Sequence, residues 1–333
     1  MRSGSSFLGR LLAWHPDTFY WYEPLWNYDS GVYYWGSELI CVGKNICGIA
    51  KNKTRHNISR VYSTFDAIYS CNLTSLSTAV AEHSTPDHSG GTWKSYKECR
   101  KKNISSSKCL LAVENICKTS KHRATKTVRL TLDNVETVLR NNQAVKAIHL
   151  FRDPRAIMNS RLTTKWFDVK ESLYNDYELL EADATALCNR IIHDLSAGIR
   201  LKQKYPKRFA FVMFEDLLEN QKLKSEILFR FYGLEVSNYN DIDRPFQVPE
   251  EVHVFKNRKS INKEYENYAN WWRLELSVKA MVVIDRACIN AVEFLGYERF
   301  YKEDDLRNLS AKAFSFHPQF RIEHLFETHR YEL

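Results

Sequence analysis

From about residue 125 onward, short apolar runs alternate with helix-forming segments, and this alternation constrains the fold more than any other property of the chain. TKTVRLTL (125–132) reads as a strand and DNVETVLRN (133–141) as a helix with Asp133 as its N-cap. AVKAIHLF (144–151) is again a strand, and PRAIMNSRL (154–162) a helix with Pro154 in its first turn. A long helix is expected from about Tyr174 to Lys204, then a buried strand at RFAFVMF (208–214), then a helix from Glu215 that closes on Gly233. Upstream, Leu8, Leu11 and Leu12 fall at helical spacing, and PDTFYWYEP (16–24) reads as a short strand ending in a loop. Strands that alternate with helices imply an α/β fold of three layers around a central parallel sheet.

In such a fold, strand-to-helix turns gather at the carboxyl edge of the sheet, where ligands bind. Two turns here have the chemistry of anion sites. RSGSSF (2–7) sets a glycine and small hydroxyl residues before a helix, so that backbone N–H groups and the helix N-terminus can approach a phosphate. Arg2 stands where such a loop carries its cation, and Ser3, Gly4, Ser5, Ser6 and Phe7 complete the cradle. FRDPRAIMNS (151–160) places Arg152 at a strand exit and Ser160 eight residues on, both able to face one phosphate. Asp153 and Pro154 set that turn, and Arg155 supplies either a further cation or a structural ion pair.

The chain has 333 residues, enough for one large domain with its own core, and a formal net charge of +8 spread among interleaved acids and bases. That surplus suits an anionic ligand; no nucleic-acid signature accompanies it. Five sequons stand at Asn52, Asn57, Asn72, Asn103 and Asn308, and most of the eight cysteines (Cys41, Cys47, Cys71, Cys99, Cys109, Cys117, Cys188, Cys288) crowd the same segment as the first four. Their spacings fit no compact zinc pattern, so disulfides in an oxidising lumen are expected, with Cys188 and Cys288 either free thiols or a mutual bridge. The sequence contains no apolar run long enough to span a membrane and no recognisable signal peptide. A phosphate loop ordinarily follows a buried strand, and only Met1 precedes Arg2, so a first strand and any membrane anchor are expected to be missing. We read residues 1–333 as one domain with an irregular, cysteine-bearing and glycosylatable insertion at 30–126.

RSGSSFLG, YEPLW (22–26), HLFRDPRAIMNSR (149–161), FEDL (214–217), NWWR (270–273) and FLGYE (294–298), in that order, resemble the Golgi carbohydrate sulfotransferases, closest to the galactose, N-acetylgalactosamine and N-acetylglucosamine 6-O-sulfotransferases. The resemblance implies a P-loop-like sulfotransferase fold and the donor 3′-phosphoadenosine 5′-phosphosulfate, with Arg2 to Phe7 at the 5′-phosphosulfate and Arg152 and Ser160 at the 3′-phosphate. It also implies a type II membrane protein of the Golgi lumen acting on a glycan of a glycoprotein or proteoglycan. Departures are Arg10 where the family has an acidic residue, MFEDL (213–217) in place of RYEDL, and a poor match over 30–126.

Sulfuryl transfer, like phosphoryl transfer, needs in-line positioning and stabilisation of charge on the leaving phosphate, a task for Arg2, Ser5, Ser6 and the loop amides. The donor brings an activated sulfate, so no metal is expected. Glu23, set among Tyr20, Trp21, Tyr22 and Trp26, is the candidate base, with burial expected to raise its pKa and the aromatics able to stack on a sugar. His15 is the runner-up, His149 reads as a core histidine, and Glu215 and Asp216 as cap or arginine-holding residues. Trp271, Trp272 and Arg273 could close over the nucleotide, with core packing the default for the tryptophans, and Asn257–Ser260 could reach the 3′-phosphate or an acidic glycan or form a solvated turn. A P-loop kinase is disfavoured because GxxxxGK[ST] is absent; a non-catalytic glycan- or nucleotide-binding relative is the other alternative.

Overall fold

A computed structural model describes residues 3–25, 39–41, 47–49, 53–77, 80–81, 93–163, 176–235 and 268–326. In chain order these form α1 (Ser5–Trp14), β1 (Thr18–Tyr22), β2 (Leu39–Cys41), β3 (Cys47–Ile49), α2 (Lys53–Tyr69), α3 (Lys94–Lys101), α4 (Ser106–Thr119), β4 (His122–Lys126), α5 (Leu132–Asn141), β5 (Ala147–Phe151) and α6 (Pro154–Thr163). They continue with α7 (Tyr177–Lys204), β6 (Phe209–Met213), α8 (Phe214–Glu219), α9 (Gln221–Tyr232), α10 (Trp272–Glu275), α11 (Val278–Ala287), α12 (Ile289–Phe294) and α13 (Glu303–Arg307).

The parallel α/β architecture is present, with one correction to the expected single sheet. β1 pairs in parallel with β4 (Thr18 opposite His122) and β5 with β6 (Ala147 opposite Phe209), while β2 and β3 form a separate antiparallel pair. Among the described residues the two parallel pairs do not join. β4 and β5 instead line a cavity of about 640 Å³ that α1 and α7 also border. All of β4 and most of β5 are therefore only half-buried, whereas every residue of β6 is buried.

Side-chain alternation builds the layers around these strands. Phe19 and Trp21 of β1 pack with Trp93, Tyr96 and Val113 of the cysteine-bearing region, and Tyr20 turns the other way toward Leu8, Leu11 and Leu12 of α1. Likewise Phe209, Phe211 and Met213 of β6 face α6, α7 and α11, while Ala210 and Val212 face α1 and α9.

Several boundaries differ from the sequence expectation. The strand expected at 125–132 runs from His122 to Lys126, because its pairing with Thr18–Tyr22 sets the register, and Thr131 takes the N-cap position of α5 with Asp133 in the first turn. The helix expected to run from Glu215 breaks at Asn220, whose side chain accepts from the Leu223 amide and starts α9; Gly233, at φ 76°, closes it as expected. Disulfides link Cys71 to Cys117, Cys99 to Cys109 and Cys188 to Cys288, which settles the alternative left open for the last pair. Asn72, Asn103 and Asn308 are exposed, as sequon asparagines must be, and no described helix is long and apolar enough to cross a membrane.

Candidate active site

The carboxyl ends of β1, β4, β5 and β6 and the N-terminus of α1 converge on one region. Gly4 occupies the N-cap position of α1 in the left-handed conformation, φ 84°, and its carbonyl accepts from the amides of Phe7 (2.9 Å) and Leu8 (3.2 Å). No side chain caps this helix and no acid stands in its first turn, so its amide end could receive an anion. The loop passes so close to the start of α8 that a Cβ on Gly4 would lie 2.3 Å from the ring of Phe214. That backbone, with no room for a side chain, is the geometry a phosphate cradle requires. Ser3, Ser5 and Ser6 flank it, and Arg2 lies outside the described residues.

Phe214 also brings the second anion turn to the first. Its ring meets Phe7 edge-on (5.9 Å between centroids) and carries the Arg152 guanidinium 4.8 Å from its centroid, with Tyr268 5.7 Å from the same guanidinium. Arg152 is thereby held at the β5 exit, beside the loop that Gly4 begins. Ser160 lies two turns along α6, half-buried.

Of the two roles expected of Arg155, a further cation or a structural ion pair, the structure shows the ion pair. Its side chain is fully buried beneath the turn, where Nε and Nη2 donate to Asp153 and Nη1 donates to Asp285 (3.1 Å) and to the carbonyl of Glu298 (2.8 Å). A guanidinium so occupied braces the loop from below and presents nothing to a nucleotide. Asp153 is its counter-ion and Pro154 starts α6, so both shape the turn.

Glu23 follows β1 with φ 45°, a left-handed backbone that is uncommon outside glycine. Its carboxylate is buried and forms ion pairs with Lys126 at the end of β4 and with Arg129 just beyond. Burial raises its pKa, as the sequence reading expected, but the two cations outweigh burial and hold the carboxyl below the usual glutamate range. Lys126 also lies 4.4 Å from the ring centroid of Tyr22, whose hydroxyl is 3.2 Å from Ser6 Oγ. The acid is thus linked to the phosphate-type loop through its neighbour Tyr22. Sequence reasoning missed Lys126 and Arg129: the strand register was displaced by three residues, so neither stood out as a cation at a strand exit.

The other candidates resolve into structure. His15 is buried, contacts the Glu235 carbonyl through Nε2 (2.8 Å), and packs against Thr18, which removes it as a base. Trp272 is core, and Arg273 donates to the carbonyls of Asp305, Leu306, Asn308 and Ala311, tying α10 to α13. Asp216 holds Lys224 (2.8 Å) and Arg321 (2.7 Å), the arginine-holding role expected of it. Asn257–Ser260 lie outside the described residues.

Residues 1–277 match the sulfotransferase domain family. The chain belongs to that family. It is similar to carbohydrate sulfotransferase 1 of Danio rerio (25% identity, covering 93% of this chain and 79% of the relative). Carbohydrate sulfotransferase 5 of Homo sapiens is 25% identical over 93% of this chain and 78% of the relative, and carbohydrate sulfotransferase 3 of Tetronarce californica 25% over 93% and 74%. No solved structure matched the chain. In this sulfotransferase the loop at Gly4 and the Arg152 turn meet at the ring of Phe214.

Proposed function

We propose that this sulfotransferase moves the sulfuryl group of 3′-phosphoadenosine 5′-phosphosulfate to a hydroxyl, the 6-O position, of a hexose or N-acetylhexosamine in a glycan. The observation that carries the donor assignment is the single Phe214 ring that packs against both Gly4 and Arg152. A donor with phosphate groups at two ends of a nucleoside needs two anion sites fixed relative to each other, and that contact supports such a spacing. Ser5, Ser6 and the α1 amides would hold the 5′-phosphosulfate, Arg152 and Ser160 the 3′-phosphate. Sugar as the acceptor class rests on the carbohydrate sulfotransferases to which the chain is similar.

In the transfer, the acceptor oxygen forms a bond to sulfur while the bond between sulfur and the bridging phosphate oxygen breaks, and the electron pair leaves with adenosine 3′,5′-bisphosphate. The loop amides and Ser5 and Ser6 stabilise that growing charge. Glu23 takes the acceptor proton. Lys126 and Arg129 use two of its roughly four lone-pair sites and keep it ionised, which leaves each oxygen able to accept. A carboxylate of lowered pKa is a weak base, and it suffices because the hydroxyl becomes acidic as its bond to sulfur forms. Among the described residues, three disulfides and three exposed sequon asparagines support work in an oxidising lumen, which we take to be the Golgi.

The test is transfer of labelled sulfate from the donor to galactose- and N-acetylglucosamine-terminated glycans, with the product mapped. Glu23→Gln should abolish transfer and keep adenosine 3′,5′-bisphosphate binding, and Arg152→Ala should lose binding. Sulfate found only on tyrosine or on a secondary ring hydroxyl would refute the acceptor assignment, and nucleotide binding unchanged in Arg152→Ala would refute the donor site.

A further inference from the structure

Glu215 is a buried carboxylate with a position unlike the others. It stands in the first turn of α8, 2% exposed, and reaches across to the β5 exit. Oε1 accepts the backbone N–H of Asp153 at 2.9 Å, and Oε2 is 2.8 Å from the hydroxyl of Tyr297, beyond α12. One side chain therefore ties the Arg152–Asp153 turn to two other elements. Glu23, Asp153, Asp216 and Asp285 each have a lysine or arginine partner; among the described residues Glu215 has none.

The groups around it set its charge balance. From the turn come Asp153 and Arg152, from α6 Arg155, already shared between Asp153 and Asp285, and from beyond α12 Tyr297, with Arg299 bonded to Asp285. Asp216, the next residue on its own helix, is turned to Lys224 and Arg321. Arg152 is the cation that favours the ionised form of Glu215. Both protonation states keep their hydrogen bonds: the Asp153 amide can donate to either, and the tyrosine hydroxyl donates to the carboxylate or accepts from the acid.

We infer that Glu215 is a positioning residue which couples one proton to donor binding, so that the turn it braces takes the 3′-phosphate more tightly when Glu215 is protonated. The inference rests on the donor assignment above. An anion seated on Arg152 turns that cation's field to itself and adds negative potential at Glu215, so binding draws a proton onto the acid. By linkage the proton strengthens binding to the same extent. Burial, with the neighbouring Asp153 charge, lifts the Glu215 pKa to about 7, which places the exchange in the neutral range.

The experiment is calorimetric titration of the whole protein with adenosine 3′,5′-bisphosphate from about pH 6 to about pH 8, in buffers of different ionisation enthalpy. The nucleotide's own phosphates titrate near the acid end, with a second pKa of about 6, and contribute equally to every variant. Wild type should take up a proton beyond that shared component, and Kd should weaken roughly fivefold more than in Glu215→Gln as pH rises through the range. Glu215→Gln preserves both hydrogen bonds and should lose the extra uptake. Equal pH slopes and equal proton uptake in the two proteins would overturn the inference and leave the donor site standing; no nucleotide binding by wild type at any pH would remove both. Should Glu215→Gln not fold, Tyr297→Phe decides, because loss of the hydroxyl should move the midpoint of uptake to higher pH, and an unmoved midpoint would overturn the proposal.

Discussion

Gly4→Ala tests whether the phosphate-type loop and the Arg152 turn are one mechanical unit. Gly4 has φ 84°, where an L-residue costs about 1–2 kcal/mol. The added methyl would also sit 2.3 Å from both Cδ2 and Cε2 of Phe214. That ring cannot simply retreat: it packs against Phe7 at 5.9 Å, Tyr268 at 6.1 Å and the Arg152 guanidinium at 4.8 Å between centres. Overpacking a site so enclosed costs about 1–3 kcal/mol. The two contributions give a loss of about 2–5 kcal/mol, or about 4–10 °C in Tm at roughly 2 °C per kcal/mol for a chain this long.

Thermal unfolding of Gly4→Ala, Phe214→Leu and the double variant separates the parts. Leucine at 214 makes room for the methyl, so the double variant should recover the overpacking share and keep the backbone share, a coupling of about 1–3 kcal/mol. Nucleotide binding should fall in Gly4→Ala, because displacing the ring displaces Arg152 with it. Stability of Gly4→Ala within about 0.5 kcal/mol of wild type, or strict additivity in the double variant, would refute the claim that Phe214 fills the space a side chain would need.

Two further outcomes follow from buried links. Arg155→Lys should destabilise by about 3–5 kcal/mol in urea titration, since one ammonium cannot serve Asp153, Asp285 and the Glu298 carbonyl together, these groups are buried, and Arg299 remains as a partner for Asp285 only. Replacing Cys188 and Cys288 together by alanine opens a loop of 100 residues and should cost about 4–5 kcal/mol in thermal unfolding, with nucleotide affinity unchanged in the protein that remains folded.

What the sequence made legible is what local chemistry determines. Pro154 at a helix start, Gly233 at a helix end and the buried run Phe209–Met213 were readable because each signal acts within a few residues. The two anion turns were readable for the same reason: a glycine among small hydroxyls, and an arginine after an apolar strand. Partnerships were not readable. That Arg155 turns under its own turn depends on Asp285, 130 residues away, and that Glu23 meets Lys126 depends on the register of a strand 103 residues on. His122–Lys126 has little strand character of its own, so only its pairing with β1 could reveal where it starts.

That partnership changes what Glu23 can be asked to do. The aromatic surroundings alone favour a carboxyl of raised pKa, whereas the geometry gives a carboxylate that Lys126 and Arg129 hold below the usual glutamate range. Its folded pKa lies below the ordinary 4.5, so the stability from these pairs is fully present above pH 4.5 and is lost as pH falls through the lowered value. The same sign would govern the rate under the proposed role: Glu23 is ionised at every pH above the usual glutamate range, so with Glu23 as base the acid limb in kcat should fall below that range. A limb of kcat near neutrality that Glu23→Asp shifts and Glu215→Gln leaves in place would refute this assignment. A neutral-range change confined to the KM for donor, abolished in Glu215→Gln, would instead be the signature of the proton bound beneath Arg152. On the proposed roles the two acids divide the pH profile between them, because Glu23 is ion-paired with two cations, whereas Glu215 is hydrogen-bonded and feels only the more distant positive charge of Arg152.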